Sequence, residues 1–353
     1  GFVHISTLID NSGDTVQKVE KFYDDQPSWE ILQGQLTKEK FWTSAQSSVT
    51  KQYHYDARGL LTSTTDANNK TYTLGYDSYG LFVTSLSNPQ GWTETMIPDY
   101  SAGKISTYTN ANGTKTIQTF DAFGRPLEQS IQTEWSDPIL VQTQTYQNST
   151  LPFSEQMTRY FSADDSRQTI VYFDGTGKPL QSRQQMPQNN TYAVSKVQYD
   201  NRGNSTFFSY PRTESGASYT SLQSEEAGNA FTYDVLDRIL TRQDASWIVS
   251  YAYRWFQTTV TNQKQKQTSF TYNPWWNLEL VMESNNGVTS LTRYDYNAQN
   301  KLIRITDAYN NTRAFEYDWL GRVTTLEDLH APGATPPVIH LTYDGNSNIL
   351  SRT

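Results

Sequence analysis

The 353-residue sequence contains no cysteine. Disulfides, thiol nucleophiles and cysteine-ligated metal centres are therefore excluded. Histidine is nearly as scarce. His4, His54, His330 and His340 do not pair at metal-ligand spacing, so no metal and no cofactor is expected. No apolar run approaches the roughly 20 residues that a membrane-crossing helix needs. Runs of helix-favouring residues are also missing, and the one helical candidate is the stretch 39–48. Charge is mixed: 28 Lys and Arg against 36 Asp and Glu give a net charge of −8 with no basic cluster. Neither nucleic acid nor an anionic membrane is an expected partner. The sequence has no Gly-x-Ser-x-Gly elbow and no phosphate-binding glycine loop.

Aromatic residues are plentiful: 24 Tyr, 15 Phe and 9 Trp. They recur in one motif, aromatic-Asp-x-x-Gly. The copies are Tyr55-Asp56 with Gly59, Tyr76-Asp77 with Gly80, and Phe120-Asp121 with Gly124. Phe173-Asp174 with Gly177, Tyr199-Asp200 with Gly203, and Tyr317-Asp318 with Gly321 follow. Degenerate copies start at Tyr233-Asp234, Tyr272-Asn273, Tyr296-Asn297 and Tyr343-Asp344. They carry Asp237, Trp276, Asn300 and Ser347 where the glycine is expected.

The motif reads as a hairpin tip. The aromatic ends a strand, and Asp accepts a hydrogen bond from a backbone N–H two residues on. Glycine three residues after Asp suits a type I turn followed by a residue at positive φ. Asp237 and Asn300 tolerate that conformation, whereas Trp276 and Ser347 point to a different turn type. An apolar residue then resumes the strand, as at Leu61, Phe82 and Val323. A second turn, Asp66–Lys70 or Asp307–Asn311, lies between tips. Tyr55 to Tyr76 and Tyr296 to Tyr317 both span 21 residues. One repeat is thus two short antiparallel strands and two turns, and the fold class is all-β. Residues 51–353 form the repeat sheet, and residues 1–50 are a strand-rich segment expected to continue it. Residues 331–337 read as a long loop, and both ends look like cuts within something larger.

Candidate chemical sites have structural explanations. Asp344–Asn348 and Asp10–Asp14 resemble the start of a calcium loop, but the same residues make turns. Asp24-Asp25 and Asp164-Asp165 are adjacent carboxylates. Adjacent strand residues point to opposite faces, so neither pair makes a glycosidase site alone. Trp255-Phe256 and Trp275-Trp276 would stack on sugars if exposed, but burial against the sheet is expected. Asn148 and Asn204 lie in glycosylation sequons. With no catalytic constellation, the chain does not read as an enzyme. A hydrophobic content of 35% suits a thin, curved wall better than a thick core.

The repeated motif and its 21-residue unit resemble the RHS/YD-repeat family. Residues 120–127, 199–204 and 317–323 match best, and the likeness runs from about Tyr53 to the end. Residues 22–27 with 34–37 are similar to RHS regions in the B component of bacterial insecticidal toxin complexes. The resemblance implies a strip of hairpins curling into a large hollow shell, secreted or at the bacterial surface. Such a shell encloses a C-terminal toxin or effector domain and can join a translocation channel and other shell segments or subunits. It also leaves open an adhesive or carbohydrate-binding surface protein, as in the related animal teneurins. Family shells end in a self-cleaving segment with Asp-Pro-x-Gly. Asp137-Pro138 lacks the glycine and lies mid-chain, so it reads as a loop.

Overall fold

The computed structural model describes residues 3–10, 12–24, 33–187, 190–285 and 287–353. Asn11, Asp25 and the Gln26-Pro27 step lie outside them. Thirty strands of four to nine residues, and no helix, occur among the described residues. The stretch 39–48 is not helical: Leu36–Trp42 is a strand, paired antiparallel with Ser48–Tyr55. The alternating Lys38-Glu39-Lys40-Phe41-Trp42 pattern suits a pleated surface, and that pairing supplies the backbone partners.

The chain divides into two compact units. One comprises Gly1–Thr93, Tyr253–Val260 and Lys266–Thr353; the other comprises Glu94–Ala252 and Thr261–Gln265. Hairpins build both. In the first, Ser48–Tyr55 pairs with Leu61–Thr65, which pairs with Thr71–Tyr76, which pairs with Val83–Ser87. The register shifts by one residue at the aromatic of each tip, as at His54/Tyr55, Gly75/Tyr76 and Glu316/Tyr317. Such a bulge is what a type I turn plus one left-handed residue produces.

The second unit departs from the simple meander. The first half of Thr191–Tyr199 pairs with Arg212–Ser215, and its second half pairs with Ser205–Ser209. The buried apolar core consists of Ile170, Tyr192 and Val194, all in this unit. Most side chains elsewhere are only half-buried, as expected of hairpins with little apolar matter to cover them.

Candidate functional site: the hairpin tips and the seam between them

The tips share one geometry. At Tyr55–Gly59, the Asp56 N–H donates to the Leu60 carbonyl at 2.9 Å, and the Gly59 N–H donates to the Asp56 carbonyl at 3.0 Å. Asp56 Oδ1 accepts the N–H groups of Arg58 and Leu60, both at 2.9 Å. Asp121, Asp174, Asp200, Asp234 and Asp318 each accept the corresponding two N–H groups. Asp77 accepts the N–H groups of Leu81 and Phe82, four and five residues on. These donors hold Asp56, Asp174 and Asp200 below the usual carboxylate range. Gly59, Gly80, Gly124, Gly177, Gly203 and Gly321 have φ between 71° and 90°.

The degenerate tips adopt the same turn. Trp276 has φ 63° and Ser347 φ 71°, alongside 61° at Asp237 and 57° at Asn300. The expectation of a different turn at Trp276 and Ser347 is therefore corrected. Asn273 and Asp344 make the same backbone contacts as Asp56, and these outweigh the cost of a left-handed L-residue.

The tip tyrosine has a second role. Its hydroxyl donates to a backbone carbonyl two residues past the left-handed residue of the preceding tip. Tyr76 bonds Leu61, Tyr199 bonds Pro179, Tyr233 bonds Ser205, Tyr296 bonds Leu278, Tyr317 bonds Leu302 and Tyr343 bonds Val323, at 2.6–3.0 Å. Tyr55 reaches Leu36 in the same way, past Gly34. Burial pushes the phenols of Tyr55, Tyr199, Tyr233, Tyr296 and Tyr317 above their usual range, keeping each a neutral donor. Phe120 and Phe173 have no hydroxyl for this bond.

Two further positions fit the scheme but not the sequence motif. Tyr146, with no Asp after it, bonds the Pro126 carbonyl at 3.0 Å. Asp99 follows Pro98 instead of an aromatic, yet accepts the N–H groups of Ser101 and Ala102 ahead of Gly103, whose φ is 65°.

In the first unit the late tips lie against early turns. Asn68 Nδ2 donates to Asp344 Oδ2 at 2.9 Å, and the Gly345 N–H donates to Asn68 Oδ1 at 2.9 Å. Asn346 donates to Asp66 at 2.8 Å. Gln299 donates to the Val16 carbonyl, and the Trp319 N–H to the Thr43 carbonyl at 3.2 Å. The side-chain contacts join residues 276 to 283 positions apart. A Cβ at Gly345 would lie 2.2 Å from the Ala67 carbonyl oxygen, so only glycine fits there. Asp344, read from sequence as a possible calcium ligand, is thus engaged by Asn68, by Asn348 and by its own turn.

In the second unit, segment 216–226 covers one face of Pro179–Gln185 and Thr191–Tyr199. Five charges anchor it. Glu214 meets Arg183 at 2.7 Å, Lys196 at 3.0 Å and Arg212 at 2.8 Å. Glu226 meets Lys196 at 2.8 Å and Arg212 at 3.2 Å. Arg183, Lys196 and Glu226 are almost wholly buried. Burial alone would raise the Glu214 carboxyl, but hydrogen bonds from Thr220, Lys196 and Arg212 outweigh it and bring it to about 2. Gln181 and Arg183 also hold the Thr220 and Gly216 carbonyls, so these ions position a chain segment.

Other candidates do not converge. The histidines lie in four separate strands. No cluster of three His, Asp or Glu residues suited to a metal occurs among the described residues. Asp164 and Asp165 lie between strands Phe153–Tyr160 and Ser166–Phe173, with Asp165 paired to Arg167. Trp255 and Trp275-Trp276 are exposed, correcting the expectation that they seal the sheet. They occupy turns, beyond the strand faces where burial is available. Trp276 meets Phe256 edge-on and Tyr272 at a tilt while staying open to solvent. Trp275 borders a cleft of about 680 Å³ that also takes in Ile9, Asp10 and Asn297.

Comparison with known proteins agrees with this architecture. The RHS Repeat family model matches residues 33–71 and 55–95. The crystal structure of TcdB2-TccC3 is similar over 96% of this chain, with TM-score 0.81 and 15% identity. TcdB2-TccC3 without its hypervariable C-terminal region gives TM-score 0.76 at 13% identity over 96% of this chain. The Photorhabdus luminescens Tc holotoxin pore gives TM-score 0.57 at 13% identity over 98%. The chain spans 23%, 26% and 22% of these solved chains, about a quarter of their length. No curated protein sequence matches it. Residues 33–95 thus match the RHS repeat, and the all-β chain shares its fold with part of the TcdB2-TccC3 chain.

Proposed function

We propose that the chain is a length of wall in an RHS shell that encloses a C-terminal toxin or effector domain until delivery. The observation that carries this reading is the seam. Tips of late hairpins are hydrogen-bonded to turns of early ones across 276 or more residues, so distant lengths of the strip meet edge to edge. A strip whose edges meet leaves fewer of them open than a flat sheet does. The fold likeness to TcdB2-TccC3 supports the same role. Residues 1–50 belong to the wall with residues 51–353. The tip residues are structural, and the wall itself is not an enzyme. Its partners are other shell segments, the enclosed domain and a translocation-channel component, and the whole is secreted by a bacterium.

The exposed Trp255, Trp275 and Trp276 favour one second reading, an adhesive surface that binds carbohydrate. Protease treatment of the native full-length protein separates the two. A caged domain survives digestion until the shell is denatured, and digestion at the native rate would contradict the cage.

A further inference from the structure

Several tyrosines of this chain hold a cation on the ring face, and the chain supplies it from one fixed position. Arg125, Lys178 and Arg322 each follow a left-handed glycine, at 124, 177 and 321. Each lies over the tyrosine whose hydroxyl reaches past that glycine. Arg125 is 4.1 Å from the centre of the Tyr146 ring, Lys178 5.4 Å from Tyr199 and Arg322 4.7 Å from Tyr343. The negative face of the ring attracts the charge. Tyr272 departs from this scheme. The left-handed residue of the turn before it is Trp255, with φ 43°, and the residue that follows is Phe256. The Tyr272 N–H donates to the Phe256 carbonyl at 2.8 Å, which sets the two residues side by side. Trp276 adds a third ring, its centre 5.5 Å from Phe256 and 6.2 Å from Tyr272. Among the described residues, no Lys or Arg lies over any of these three rings. Trp276 holds φ 63°, a strained value for a bulky L-residue at a position where six tips use glycine. Burial does not account for it, because Trp276 is 68% exposed.

We propose that Phe256, Tyr272 and Trp276 form an aromatic cage for a quaternary ammonium group, the trimethylammonium of choline or of a choline lipid. The inference goes beyond the wall reading and does not depend on what the wall encloses. All three residues belong to the first unit. Three features specify the ligand. At the position that carries Arg or Lys before Tyr146, Tyr199 and Tyr343, this turn carries a ring, so the cation has to come from outside the chain. The Trp276 plane is inclined by 64° to Phe256 and by 48° to Tyr272. The rings therefore make a corner that fits a compact cation, where a sugar would stack on a flat platform. The rings also offer a single hydrogen-bond acceptor, the Tyr272 hydroxyl. A Lys or Arg side chain would lose water from its N–H groups and find few partners, whereas a quaternary ammonium has no N–H to satisfy.

Saturation-transfer NMR on the full-length protein tests the site, following the methyl protons of choline and of its neutral isostere, in which carbon replaces the nitrogen. Choline should bind at least about tenfold more tightly than the isostere. Trp276→Gly removes one ring and leaves the turn with the residue that it favours. Phe256→Arg places a cation where Arg322 stands at another tip. Circular dichroism should show native strand content in both variants, and both should lose the choline signal. Equal binding of choline and isostere would overturn the inference, because only apolar contact would then be at work. So would choline binding that survives both substitutions, or no choline signal in the parent protein. Transfer to glucose in place of choline would also overturn it, in favour of the carbohydrate surface. Sedimentation with vesicles of phosphatidylcholine or of phosphatidylglycerol identifies the source. Binding to phosphatidylcholine alone that free choline competes away assigns a lipid headgroup. A choline signal without vesicle binding assigns a free small cation, and either result upholds the cage.

Discussion

Asn68 and Asp344 are 276 residues apart in sequence and 2.9 Å apart at their side chains. Asn68 uses both ends of its amide: Nδ2 donates to Asp344, and Oδ1 accepts the Gly345 N–H. A side chain on Gly345 would meet the Ala67 carbonyl. Gly345→Val should therefore part this tip from its turn. Hydrogen exchange at residues 66–70 should rise in the variant while exchange in the second unit stays unchanged.

The tyrosine bonds between successive tips are the second feature open to test. Tyr317→Phe removes only the hydroxyl that reaches Leu302 at 2.7 Å. The expected loss is about 1 kcal/mol of unfolding free energy, the net worth of one partly buried hydrogen bond. Denaturant titration of the variant measures it, with an unchanged m-value showing that the fold persists.

Ser347 holds φ 71°, where an L-residue is strained and glycine is not. Ser347→Gly should raise stability by about 1 kcal/mol, the usual cost of a left-handed L-residue. The same titration tests it, and a loss of stability would mean that the Ser347 hydroxyl matters more than the backbone.

Fold class and most of the tips were legible in the sequence, because aromatic, Asp and Gly each do one local job inside five residues. The tip at Asp99 escaped because Pro98 stands where the aromatic is expected. The Tyr146 bond escaped because no Asp follows that tyrosine. The helical reading of 39–48 failed because the strand pairing of Leu36–Trp42 with Ser48–Tyr55 overrides weak local propensity. The ions at Arg183, Lys196, Glu214 and Glu226 were invisible because charged residues alternating along a strand look like a solvated face. Only the return of segment 216–226 over that face buries them. The seam was invisible because nothing local encodes contacts between residues so far apart.

That buried cluster should be costly to break. Lys196→Met would remove the buried one of the two cations that Glu214 and Glu226 share and leave them Arg212. The expected loss is roughly 3–5 kcal/mol, the range for removing one partner of a buried ion pair. Proteolysis should then cut within 216–226 under conditions where the parent protein resists.

Acid should act on the same cluster late. Glu214 is lowered from 4.5 to about 2 in the folded chain. A depressed carboxyl contributes stability above its unfolded value and loses it as pH falls through its folded value. Stability should thus be insensitive to this group between pH 7 and 5, then fall between about pH 4.5 and 2. Asp56, Asp174, Asp200 and Asp344 are lowered too and act in the same direction. Urea midpoints across this pH range test the sign, and Glu214→Gln should flatten part of the acid limb.

The central claim is that this wall encloses a separate domain. Mass spectrometry of the full-length protein, run first under native and then under denaturing conditions, tests it most directly. The account predicts one native mass that parts on denaturation into a repeat-bearing shell and a C-terminal fragment unlike the repeats. A single uncleaved chain with no non-repeat C-terminal region would contradict it and leave adhesion as the better reading.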